Sequence, residues 1–269
     1  GVYFWLCTAV NHYFMKRNEN LTKDFSLFIP EATGIAFTSW FSSKVGNKEK
    51  RCDDIKVPEK LEWLRDNVVG IAVLGAILWV LFGILVGKDV IAKNAGDTNW
   101  ILYLITLGIK FSVGLSIVLY GVRMMLAEIV PAFKGIATKI IPGAIPGLDY
   151  PTVFQFALTA VFIGFIANLI GGIIASFVMV GIGMETVILP AVWMNFWTGG
   201  TLGVFADVYG GTRGNIIMNL LLGFLAPFGW ALAYPLSGFL MTTNATADYT
   251  DIGTIGYLYE LIAKFVFGK

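Results

Sequence analysis

Charge is what this sequence has least of. Only 14% of its 269 residues are Asp, Glu, Lys or Arg, against about 25% in soluble globular domains. The 19 basic and 18 acidic groups nearly cancel, leaving a formal net charge of +1. There is no polycation here for nucleic-acid phosphates to hold. A single histidine, His12, excludes a His-rich metal site, and two cysteines, Cys7 and Cys52, are too few for a disulfide framework. No Walker loop, zinc motif or Ser-His-Asp order occurs. A cytosolic enzyme, a disordered tail and a nucleic-acid binder are excluded, and no cofactor or metal is expected.

What is abundant is apolar surface. Hydrophobic residues make up 57% of the chain, and the mean hydropathy is +0.74. Eight Trp, ten Tyr and 31 Gly suit a polytopic membrane protein, where aromatics line the interfaces and small residues let helices approach. The fold class expected is all-α: a polytopic integral membrane protein with broken or re-entrant helices and hairpins. About 20 apolar residues cross the hydrocarbon core. Asn67 to Gly87, Trp100 to Leu126, Tyr150 to Met184, Thr186 to Ala206 and Gly214 to Ala247 are long enough. The apolar tail from Ile252 to Phe267 is short for a crossing.

Gly1 to Met15 is apolar and ends at Lys16-Arg17, but fifteen helical residues cover only about 22 Å. It reads as the second half of a helix, in a chain that is the C-terminal part of something larger. The expected organisation is a truncated helix and re-entrant segment over 1–43, a charged loop over 44–66, and membrane helices over 67–269. Lys44 to Arg65 holds seven basic residues, which places it in the cytoplasm. Alternation then puts Arg123, Lys134, Lys139, Arg213 and Lys264 inside, and Lys88 to Asn99 and Thr242 to Asp251 outside.

Pro131 to Pro151 holds four prolines and three glycines. It predicts a broken core segment, because each proline removes a backbone donor and clashes with the preceding turn. Irregular backbone at membrane depth is tolerated where protein or a water-filled cavity satisfies it, and transporters use such breaks to hold polar substrates. An amphipathic surface helix followed by a tight turn is the alternative.

Asp149 stands just before Pro151, a natural first helical residue. It is either a carboxylate accepting substrate hydroxyls in a wet pocket or a local cap. Gln155 and Thr159, one and two turns on, continue the same face. Glu128, five residues after Arg123, is read as an ion pair or an exposed group, and it is kept as a candidate contact together with Thr33. Lys110 lies ten residues into its span and is expected to face a bundle interior. Cys52 reads as a reduced surface thiol beside two aspartates. Ala167, Gly171 and Ala175 read as packing. Gly199-Gly200 and Gly210-Gly211 are candidate hairpin turns, and Asn195 and Thr198 line a pore or bond to neighbouring backbone.

Gly121 to Ile136, then Ile-Pro-Gly-Ala and Leu-Asp-Tyr, resemble the ascorbate-type IIC component of the bacterial phosphotransferase system. The similarity continues through Phe156 to Val161, Gly203 to Ala206 and Gly210 to Arg213, with Ser39-Trp40 and Lys44-Val45 upstream. The resemblance implies a permease subunit of the bacterial cytoplasmic membrane, working as a homodimer with a moving core domain. It would hold L-ascorbate or a related sugar acid while a phosphorylated IIB partner transfers phosphate, so IIC itself needs no nucleophile. It assigns Asp149 as the substrate-contacting aspartate. The sequence departs from the family at Pro30 to Gly34, where a histidine-glutamine stretch is usual, and at Ala157 to Ala160, in place of Ala-Pro-Asn-Ala. A non-transporting membrane subunit docking partners through the charged loop, and a secondary transporter without IIB dependence, remain as alternatives.

Overall fold

The computed structural model describes residues 2–55, 67–236, 238–243, 250–251, 255–256 and 265. The distal part of the charged loop and nearly all of the C-terminal tail fall outside these residues. Helices dominate: α1 (Val2–Lys16), α2 (Ala32–Val45), α3 (Asn67–Val86), α4 (Lys88–Ala95), α5 (Trp100–Lys139), α6 (Pro151–Phe154), α7 (Leu158–Gly181) and α8 (Val192–Ala233). Two-residue strands β1 (Ser26–Leu27) and β2 (Gly147–Leu148) pair in parallel. Among the described residues, α5, α7 and α8 are long and apolar enough to cross a membrane. The all-α membrane class expected from composition is what folds.

The chain divides into two compact units, 1–55 with 126–269, and 56–125. Within the smaller one, α3 crosses the first part of α5 at Gly75 and Gly108, where a Cβ on Gly108 would collide with the Ala76 backbone. Lys110, on the same stretch of α5, is exposed rather than turned into a bundle.

The larger unit is organised by α7 and α8. Although α8 runs for 42 residues, Gly211 has φ 62 and ψ −167, which no helix contains. The chain turns back there. Gly199 and Gly223, equally far from Gly211 on either side, both close on Asn168 of α7, and Gly203 packs on Ala160 and Gly164. Two antiparallel arms therefore lie against one helix, close enough that most of these positions accept only hydrogen. The Gly210-Gly211 pair makes the expected hairpin turn. Gly199-Gly200 does not, because both lie inside a continuous arm at a helix contact.

The loop after α2 is folded onto that turn. Asn47 N–H donates to Gly210 O, and Thr212 N–H donates to Lys50 O, both at 2.8 Å. Asp207, fully buried, accepts from Arg51 Nε at 2.9 Å and from Cys52 N–H at 2.7 Å. The Cys52 thiol is buried against Asn215, so it is not the surface thiol expected. Burial and the neighbouring Asp207 push it up to about 12.

Two sequence expectations about the broken segment change. Helix α5 runs through Pro131 to Lys139. A proline costs only its own donor and one local clash, about 3 kcal/mol, which a 40-residue helix absorbs. The break itself covers 140–150, where two more prolines, Pro142 and Pro146, and two glycines accumulate. Past it, α6 lasts four residues, and the backbone leaves helical geometry at Ala157, with φ −162 and ψ 73. Gln155 and Thr159 thus lie on different sides of a second break, not on one helical face.

Candidate functional site

The first irregular stretch joins α1 to α2, and the second joins α5 to α6. They meet through the β1–β2 pair: Ser26 N–H donates to Pro146 O and Phe28 N–H to Leu148 O. Asn11 of α1 secures the first stretch by donating to Leu27 O and Ile29 O. The donors that a helix would satisfy internally are satisfied here between two broken segments, as buried backbone requires.

Glu31 ends the first stretch and is completely buried. Its Oε1 accepts from Tyr150 OH at 3.0 Å, from Thr198 OH at 3.1 Å and from Thr250 N–H at 3.4 Å. One carboxyl oxygen thus gathers the start of α6, the first arm of α8 and the C-terminal segment. Glu31 lies between α1 and α2, outside the three candidate spans. Burial, and beyond it the facing charge of Asp251, push its carboxyl up to about 7 against donors that pull the other way.

Asp251 stands on the far side of the first turn of α2. It accepts from the N–H groups of Ala32 and Thr33, the Thr33 hydroxyl, Tyr3 OH and the Cys7 thiol. An acid at these free N–H groups is where the helix dipole favours one. Thr33 is thereby committed to Asp251.

Beside this cluster, Asn168, Met194, Asn195, Thr198, Trp230 and Thr250 help to line a crevice of about 10 Å³, room for a single water. A second space of about 260 Å³, open to the outside, adjoins it past Thr250, Leu222 and Ala226, and is lined also by Thr33, Gly34 and Phe37. The crevice presents amides, hydroxyls and one indole beside the apolar Met194, Leu222 and Ala226, and the larger space is mostly apolar, with Thr33 and Thr250 as its polar side chains. No group of His, Cys, Asp and Glu suited to a metal occurs among the described residues.

The residues singled out from sequence are placed differently. Asp149 is exposed, and its Oδ1 accepts the Tyr150 N–H at 2.8 Å. It is in the hairpin tip but points away from the buried cluster. Gln155 is exposed and donates to Thr152 O, Thr159 is exposed, and Glu128 is exposed on α5. Among the described residues the ion pairs are Arg51–Asp207 and Lys134–Asp24, so Glu128 and Arg123 form none. Sequence reasoning missed Glu31 and Tyr150. The available signal was an acid in an otherwise apolar run, Phe28 to Phe37.

Apolar spans, two broken segments joined tip to tip, and a buried acid at their junction mark an integral membrane protein built around broken helices. The chain belongs to the family of PTS system sugar-specific permease components, whose family model matches residues 1–251. It is 27% identical to the ascorbate-specific PTS system EIIC component of Mycoplasma pneumoniae over 84% of this chain. It spans 38% of that relative's length.

Proposed function

We propose that the chain is part of a IIC permease that binds a sugar acid, L-ascorbate or a related carbohydrate, and carries it across the bacterial cytoplasmic membrane. A phosphorylated IIB partner phosphorylates the substrate on the cytoplasmic side, and the permease works as a homodimer. The observation that carries this reading is the junction of the two broken segments at Glu31, beside a space of about 260 Å³ to which Thr33 and Thr250 bring hydroxyls. Its support from likeness is the ascorbate-specific relative. Asp149, Gln155, Thr159 and Glu128 are exposed candidate contacts outside the buried cluster, and Thr33 lines the larger space. Broken helices let such a site change access, because the tips move as units against the α7–α8 frame.

The test is uptake of labelled L-ascorbate by cells making the complete protein, with Asp149→Ala and Glu31→Gln alongside. Phosphate-dependent accumulation that both substitutions abolish supports the reading. Accumulation that neither changes discards the site. Uptake that survives removal of the general phosphotransferase proteins but collapses with a protonophore replaces it with a secondary transporter. The absence of any accumulation favours a docking subunit.

A further inference from the structure

The two buried carboxyls are provided for very unequally. Asp251 accepts five donors, spread over both oxygens. Glu31 receives all of its donors at Oε1, while Oε2 is buried from water and meets no hydrogen-bond partner among the described residues. Gly34 lines the larger space, and Oε2 lies behind it, where a Cβ on Gly34 would stand 3.2 Å away. The titratable groups facing Glu31 are Asp251, with Tyr3 and Cys7 of α1 behind it, and Tyr150 at the start of α6. Helices α2 and α8 face it with the hydroxyls of Thr33 and Thr198 and with no charge among the described residues.

A carboxylate oxygen with neither water nor a donor is among the costliest arrangements in a protein interior. Such a group sheds its charge instead. Five donors converge on Asp251, whereas Oε2 of Glu31 meets none among the described residues.

We propose that Glu31 carries a proton on Oε2 while the cavity is empty, and so offers an O–H donor through the gap at Gly34 to an anionic ligand oxygen. A neutral acid in an apolar site acts as a hydrogen-bond donor where its ionised form would repel an anion. This explains how a space backed by two acids, Glu31 behind Gly34 and Asp251 behind Thr33, accepts a sugar acid, and it rests on the reading above only for the ligand's charge. No covalent step is involved: the proton stays on Glu31 and is shared with the ligand oxygen.

Infrared difference spectra of the full chain in membranes, titrated across neutrality, test the proton directly and need no substrate. The expected result is a protonated-carboxyl carbonyl band that persists above the ordinary Glu range of about 4.3 and is missing from Glu31→Gln. Asp251→Asn, which removes the facing charge, lowers the band's midpoint without abolishing it. No such band, a band retained in Glu31→Gln, or an unmoved midpoint in Asp251→Asn overturns the proposal. L-Ascorbate then serves as the anionic probe. Its affinity is expected to fall about tenfold per pH unit above the midpoint in wild type and to stay level in Glu31→Gln. Equal affinity on both sides of the midpoint overturns the donor role. A band present with no ascorbate binding at any pH leaves the proton standing and defeats the sugar-acid reading.

Discussion

Tyr150 donates its hydroxyl to Glu31 Oε1 across 3.0 Å, so one hydrogen bond joins two broken segments lying 119 residues apart in sequence. The parallel β1–β2 pair aligns the tips by backbone contacts alone, which any sequence can make. The Tyr150–Glu31 bond adds the side-chain specificity and places the start of α6 against the buried acid.

Tyr150→Phe keeps the ring, which packs near Trp197, and removes only the donor. Glu31 Oε1 keeps Thr198 and the Thr250 N–H, so the loss is expected to be about 1–2 kcal/mol, read as a lowered unfolding midpoint in detergent. Uptake should fall by more than the folded fraction does, because the tip is displaced in molecules that remain folded. An unchanged midpoint and unchanged uptake would show that the bond holds nothing.

Asp207→Ala leaves the Arg51 guanidinium without its buried partner and the Cys52 N–H without its acceptor. Losing one partner of a largely buried pair costs about 3 kcal/mol. The loop at 46–55 should detach first, measured as faster tryptic cleavage at Lys48, Lys50 and Arg51.

Cys52 reports on the same knot. With its thiol pushed up to about 12 by burial and the nearby Asp207, almost none is thiolate at neutral pH, and only the thiolate reacts quickly. Maleimide labelling of the native protein should therefore leave Cys52 unmodified, while Asp207→Ala should label readily. Rapid labelling of wild type would contradict the buried placement.

Gly223→Ala should be strongly destabilising, because its Cβ would strike the Asn168 backbone of α7. Gly135→Ala on α5, with nothing within 4 Å of its Cβ, should be neutral or gain up to about 1 kcal/mol from helix propensity. Comparing the two unfolding midpoints separates a packing glycine from a permissive one.

Stability should depend on pH through Glu31. Its carboxyl is raised from 4.5 to about 7 in the folded chain, so the folded state binds the proton more tightly than the unfolded one. The resulting stabilisation is complete below pH about 4.5, declines as pH rises towards 7, and is lost above it. Glu31→Gln should remove that decline from a plot of unfolding midpoint against pH.

The membrane class, the helical content and the existence of breaks were legible in the sequence. Runs of about 20 uncharged residues have no other stable home, and clustered Pro and Gly remove the donors a helix needs. The turn at Gly211 was visible for the same local reason, as was the packing role of Gly171 on α7. The extent of each break was not: Pro131 stayed helical because one proline is a small loss in a long helix. The kink at Ala157 carries no Pro or Gly to announce it.

The site depended on contacts that no local pattern encodes. Asp149 and Thr159 were singled out by their neighbours in sequence, yet both side chains are exposed. Glu31 is remote in sequence from Tyr150, Thr198 and Thr250, and its burial exists only once the two broken segments pair and the arms of α8 close over them. Apolar composition and helical period determine that the chain enters a bilayer and folds back on itself. Which acids are sealed from water, and which donors reach each of them, is decided by long-range packing, because desolvation is a property of the assembled interior and not of any residue within it.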